Sequence, residues 1–345
     1  MGVVFSDSFA HYSLADLLYP RKWDAVGSNT ASYSLEYAYG LFPGMPGFRM
    51  GSSTNAWIQK TIASTAAFDI GFWMYIESGG GADDAILQVY DTGTIHLDLR
   101  LLSTQHLRVT RNGTTLATST NILNLGQPYF IEFKGNIHDT TGAIEVRVNG
   151  TSVDWIPSAT GLDTRNGANA SINQVRMGHS SNSGGVLRFG GIFIQGDAGG
   201  VPDFLGVVRP YILRPIGPGT NDDFTPNWAD RFANVAEHIS DGDTSFNMSS
   251  TAAHKDTFEH AKMPAAASVA FVAANLTARN DPGATKTIRP ILVDSGGTRN
   301  GDSVALTTGY KTYQSFWALN PADSAAWETA DLNDSAFEAG YELVS

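Results

Sequence analysis

The chain has 345 residues, 36 of them glycine, with only 16% charged residues and a formal net charge of −12. The length suits two domains of about 150 residues each. Abundant glycine with few charges excludes a mainly helical protein, whose outer faces want Ala, Leu, Glu and Lys. The negative charge excludes nucleic acid as a partner, because phosphate contacts need a basic stripe. Absence of cysteine excludes disulfides and thiolate metal sites. The N-terminal "MGVVFSDSFAHYSL" has no basic region followed by an apolar run, and no apolar run approaches the ~18 residues that span a bilayer. A soluble protein without membrane insertion is expected.

In chain order, "AWIQKTIA" (56–63) and "FDIGFWMYIE" (68–77) read as the first strong strands. They are followed by "AILQVYD", "TIHLDLRLL", "HLRVTRNGTTLATS", "PYFIEFKGNI", "AIEVRVNGTSV", "INQVRMG" and "LRFGGIFIQG". Most alternate apolar and polar residues and stop at Gly, Asn or Asp, as half-buried antiparallel strands do. Asn112-Gly113 and Asn149-Gly150 predict type I′ hairpin turns, whose two central positions need φ > 0. The glycine- and proline-interrupted "QGDAGGVPDFLG" (195–206) marks a boundary, with new strands expected from "VVRPYILRP". Beyond it "SVAFVAANLTAR", "KTIRPILVDSG" and "KTYQSFWAL" are strand-like. "PIGPGTNDDFTP" reads as turn-rich, "TAAHKDTFEH" as helical or irregular, and a short helical turn is expected around 325–329. The expected fold is all-β: two antiparallel β-sandwich (jelly-roll-like) domains in series, 1–200 and a smaller 206–345.

Glycoside hydrolysis needs two carboxyl groups about 5 to 9 Å apart across the scissile bond. Asp98, Glu132 and Glu145 each stand alone on their strands and read as the solvent-facing half of an alternating pattern. His96 and Asp98 share a face at i, i+2, which suits a satisfied polar pair. The remaining histidines are scattered, and His254 and His260 lack zinc-protease spacing. No catalytic set emerges, and a non-enzymatic protein is expected.

Phe72-Trp73, Tyr129 to Phe133 and Val146 to Gly150 carry a further signal. They resemble the concanavalin A-like, laminin-G-like sandwich family in an aromatic strand with a Phe-Trp pair and a later strand ending in Asn-Gly. The run "FGGIFIQGDAGGVPDFLGVVRPYILRP", with Asp-Gly-Asp-Thr (241–244), Ala-Arg-Asn-Asp (278–281) and Asn-Pro…Ala-Ala-Trp (320–327), resembles C-terminal modules of tailed-bacteriophage virion proteins of fibre type.

That resemblance implies a non-enzymatic virion structural protein, a tail fibre or baseplate-attached appendage subunit, assembled in the host cytoplasm. Its implied partners are other virion proteins, two further copies in a homotrimer, and a host surface glycan. Alternatives are a head decoration protein or head fibre, and a glycan depolymerase. Glycan contact would fall to Trp155, His179 and Asn182, an aromatic beside a hairpin and a polar rim loop "GHSSNSGG". No cofactor is required. Ca²⁺, which such sandwiches hold on acidic rim loops, would use Asp83 and Asp84 or Asp241 and Asp243, although such turns commonly bond their own backbone instead.

Overall fold

The computed structural model describes residues 2–11, 13–14, 22–36, 47–51, 55–79, 82–179, 185–198, 202–228, 230–237, 240–264, 268–281 and 283–345. The chain divides into two compact units, Met1–Pro210 and Tyr211–Ser345.

The first unit begins with strands β1 (Val3–Asp7), β2 (Ala25–Val26), β3 (Tyr33–Glu36), β4 (Gly47–Met50) and β5 (Ala56–Thr65). Then come β6 (Ala67–Ser78), β7 (Asp84–Asp91), β8 (Thr94–Leu101), β9 (His106–Arg111) and β10 (Thr114–Ile122). The last are β11 (Pro128–Asn136), β12 (Gly142–Val148), β13 (Thr151–Leu162), β14 (Ile172–His179) and β15 (Val186–Gly196). Sheet I runs β13-β12-β11-β6-β15-β4-β3, with β1 also on β15; sheet II runs β10-β9-β8-β7-β14-β5-β2. All these pairings are antiparallel. β5 belongs to sheet II and β6, one residue later, to sheet I, so the chain crosses between layers as a jelly roll does.

Strand alternation makes the core. Phe68, Ile70 and Phe72 of sheet I meet Leu87, Val89, Leu97 and Val175 of sheet II in one fully buried cluster. Each such side chain contributes roughly 1.5–3 kcal/mol relative to exposure. Asn112 and Gly113 (φ 45° and 81°) and Asn149 and Gly150 (φ 52° and 85°) adopt the expected left-handed turn geometry.

Residues 207–214 of "VVRPYILRP" are not strand, and the next strand begins only at Pro215. Residues 203–208 instead lie across the outer face of sheet I, where Trp73 Nε1 donates to the Val208 carbonyl at 2.7 Å. Residues 206–210, expected in the second domain, therefore pack on the first unit.

The second unit is built on β16 (Pro215–Asp222), β19 (Lys255–His260), β25 (Glu338–Leu343), β21 (Thr287–Asp294) and β22 (Gly297–Asn300), hydrogen-bonded in that order, with β23 (Val304–Ala305) on β21. Smaller ladders join β17 (Thr225–Pro226) to β18 (Asn247–Met248), and β20 (Val272–Ala278) to β24 (Lys311–Trp317). Two expectations fail here. The turn-rich "PIGPGTND" is β16, whose place at the sheet edge is where prolines are tolerated. "KDTFEH" is β19, an interior strand, because Asp256 is buried as the acceptor of the Phe224 N–H at 2.9 Å. The helical turn occupies Thr329–Asn333, shifted from 325–329 because Glu328 and Asp331 form its capping box.

Candidate functional site

One row of side chains crosses sheet II. Register places Gln59 of β5 opposite Arg176 of β14, Arg176 opposite Gln88 of β7, Gln88 opposite Asp98 of β8, and Asp98 opposite Thr110 of β9. Their sequence neighbours Ile58, Val175, Leu87, Leu97 and Val109 point into the core, so the row occupies the opposite, outer face. Arg176 Nη2 donates to Gln59 Oε1 at 2.9 Å. Gln88 Nε2 donates to Asp98 Oδ1 at 2.6 Å, and Thr110 Oγ1 to Asp98 Oδ2 at 3.2 Å. Tyr90, on the same face of β7, donates its hydroxyl to Gln88 Oε1 at 2.8 Å.

The Arg176 guanidinium lies 3.8 Å from the Trp57 ring centroid and 4.6 Å from that of Tyr90. Trp57, Gln59 and Arg176 are half-buried, whereas Gln88, Tyr90, Asp98 and Thr110 are buried. The site thus has a reachable cationic and aromatic part and a hydrogen-bonded floor. Burial raises the Asp98 carboxyl above the usual carboxylate range against the Gln88 and Thr110 hydrogen bonds and the Arg100 charge. Burial also raises the Tyr90 phenol, which keeps it protonated. Together these groups offer a planar cation, amides, stacking surface, a phenol and a carboxyl on one sheet face, the means of holding a polar, ring-shaped ligand.

The acids thought to face solvent alone do not. Asp98 is 6% exposed inside the row, and Glu132 is fully buried with Asp69 as a diagonal cross-strand neighbour on the same face of sheet I. Burial follows because each sheet carries further polar structure on its outer face. The grounds for excluding catalysis therefore fall away.

The residues expected from the sequence lie elsewhere. Trp155 is 9% exposed and packs in the core, so its ring offers no platform. His179 and Asp84 form a buried pair at 2.6 Å, joining the ends of β14 and β7. Asn182 lies outside the described residues. Asp83 accepts from the Ser103 N–H at 3.0 Å and faces Arg108 at 3.5 Å. Asp241 accepts from Ser245, and Asp243 from Arg279 and Tyr310. Among the described residues, no three of His, Asp and Glu converge as metal ligands. Sequence reasoning missed Trp57, Gln59, Gln88, Tyr90 and Arg176. Their signal was present: "AWIQKT", "ILQVYD" and "NQVRMG" each put long polar or aromatic residues on the non-core half of the alternation.

No protein-family model matches the chain, and no curated protein matches it. Solved structures do resemble it. The alginate lyase Aly36B is 10% identical with a TM-score of 0.41, over 56% of this chain and 97% of that one. The polysaccharide lyase family 7 alginate lyase AlgAT5 is 14% identical with a TM-score of 0.34, over 50% and 86%. A Trypanosoma rangeli sialidase is 15% identical with a TM-score of 0.33, and the match spans 43% of this chain but only 25% of the sialidase. At these values the likeness assigns no activity to this chain. It does correct the expectation of a non-enzymatic virion appendage: these similar structures are enzymes named for glycans, and no phage module is found among them.

Proposed function

We propose that the first unit is a glycan depolymerase that binds its polysaccharide on the outer face of sheet II. The observation that carries this reading is the continuous row Gln59–Arg176–Gln88–Asp98–Thr110, flanked by Trp57 and Tyr90. A sugar ring stacks on an aromatic face while its hydroxyls exchange hydrogen bonds with amides and carboxyls. Arg176, with the amides of Gln59 and Gln88, suits a sugar that bears a carboxylate, because a guanidinium matches that group in a planar fork. The Tyr90 phenol, whose proton is bonded to Gln88 Oε1, and the Asp98 carboxyl lie in the same row, the groups a departing oxygen would draw on. Asp98 is the only carboxyl of the row, so the arrangement does not supply the acid pair of a two-carboxylate hydrolase.

The test is to incubate the purified chain with polyuronates and, in parallel, with a neutral dextran, and to follow chain length by size-exclusion chromatography. Shortening of an acidic polymer, lost in Arg176→Ala, is the expected result. Intact chain length and no measurable binding across the acidic panel would remove the proposal.

A further inference from the structure

On sheet I the outer-face residues form a grid. One row runs Gln195 (β15), Asp69 (β6), Lys134 (β11), Glu145 (β12); the next runs Phe193, Gly71, Glu132, Arg147. Residues 203–208 are pinned across it. Glu132 Oε1 accepts the Gly206 N–H at 3.0 Å, Gln195 Nε2 donates to the Asp203 carbonyl at 2.9 Å, and Lys134 meets the Asp203 carboxylate at 3.3 Å. The Phe204 ring lies under the Arg147 guanidinium at 3.7 Å and the Lys134 ammonium at 5.0 Å.

Beneath this strap Asp69, Glu132 and Gln195 are completely buried. Among the described residues, Asp69 Oδ1, Glu132 Oε2 and Gln195 Oε1 have no hydrogen-bond partner. The neighbouring charges are committed: Lys134 to Asp203, Arg147 to Glu145 at 2.8 Å, while Arg209 stacks over Trp73 farther along. The grid and strap together present four carboxyls, Asp69, Glu132, Glu145 and Asp203, against Lys134 and Arg147. Two buried carboxylates without cations of their own are untenable as an ionised pair. Protons on them remove the charge and turn acceptor oxygens into donors for the unpartnered ones.

We propose that residues 203–208 are a proton-held latch: they dock on sheet I while Asp69 and Glu132 carry protons, and lift as these two carboxyls ionise. Lifting uncovers the aromatic cluster of Trp73, Phe130 and Phe193, now 5% exposed or less, on the stretch of chain that leads out of the first unit. The direction follows from the burial of the pair. Burial pushes the Glu132 carboxyl up to about 7, against the Gly206 and Leu205 N–H groups and Arg147. Asp69 is held well above the carboxylate range by burial and then by the Glu132 charge. In the lifted state both return to values near 4. The docked form therefore binds more protons, and docking weakens as pH rises from about 4 through about 7 and beyond.

Amide hydrogen exchange of the 203–208 peptide in the full chain, corrected for the intrinsic pH dependence of exchange, tests this. Protection is expected to fall at least about a hundredfold between about pH 5 and about pH 8. In the isosteric variants Asp69→Asn and Glu132→Gln the slope is reduced, and in the double variant it is absent. Protection that is independent of pH in the unaltered chain would overturn the latch, and needs no variant to fold. Protection restored at high pH by added Ca²⁺ would overturn it too, because the pair would then be a cation site.

Discussion

Arg176 illustrates what one residue does on a sheet face. Its guanidinium is bonded to Gln59 and stacked against both Trp57 and Tyr90, so its position is set by three side chains from two other strands. Lysine would keep the charge but lose the planar fork and the stacking. Arg176→Lys is expected to weaken binding of an acidic oligosaccharide by about 1–2 kcal/mol, roughly tenfold, with little change in thermal stability. Isothermal titration reads this directly, and equal affinity in the two proteins would mean Arg176 is only a packing residue. Nothing in "NQVRMG" could announce that role. The alternation shows that Arg176 faces away from Val175 and Met177, but Gln59 lies 117 positions earlier, and only register brings them together. Glu132 teaches the same lesson in reverse: its strand pattern suggests solvent, yet the strap and the diagonal Asp69 bury it.

Among the elements, hairpins were the most legible because their information is local. The Asn149-Gly150 turn sets the first pair of β12 on β13, Val148 opposite Thr151, beyond which the ladder shifts register three times, and the alternation of "IEVRV" fixes which face of β12 enters the core. Segments whose structure depends on distant partners were not legible. β19 reads as irregular until its buried Asp256 is matched to the Phe224 N–H, the Asn247 amide and the Tyr341 hydroxyl. Its last two residues, Val207 and Val208, open the segment that reads as a strand because it is apolar, but the strap's partners are side chains of a sheet already complete. Trp73 makes that dependence measurable. Its indole donates to Val208, and Trp73→Phe removes that bond at a cost of about 1 kcal/mol. Exchange at the C-terminal end of the strap is then expected to quicken about fivefold with its pH slope unchanged. A lost slope instead would tie the pH response to the indole and away from the carboxyl pair.

At the scale of the whole molecule, each unit owns its core. Among the described residues, the cluster around Phe72 and Phe189 draws only on residues before 210, and those around Tyr341 and Trp327 only on residues after it. Separate cores predict separate unfolding transitions in calorimetry, which lets a change in one unit be assigned. His260, in the second unit, supplies such a change. Burial pushes its imidazole down to about 4, against a hydrogen bond to the Phe258 backbone and the attraction of Glu338. As pH falls below about 6.5 the unfolded chain takes up a proton that the folded one refuses until about 4. Stability of the second unit is therefore lost through that window, by about 2–3 kcal/mol at its acid end. Asp256 and Glu237, both raised by burial, act in the opposite sense, so the bulk curve alone does not isolate the histidine. The difference between the unaltered chain and His260→Gln does. The variant's second-unit transition is expected to gain on that of the unaltered chain as pH falls from about 6.5 to about 4, while the first-unit transition stays matched. Parallel pH profiles for the second-unit transition would show that His260 ionises freely in the fold and that its burial carries no proton penalty.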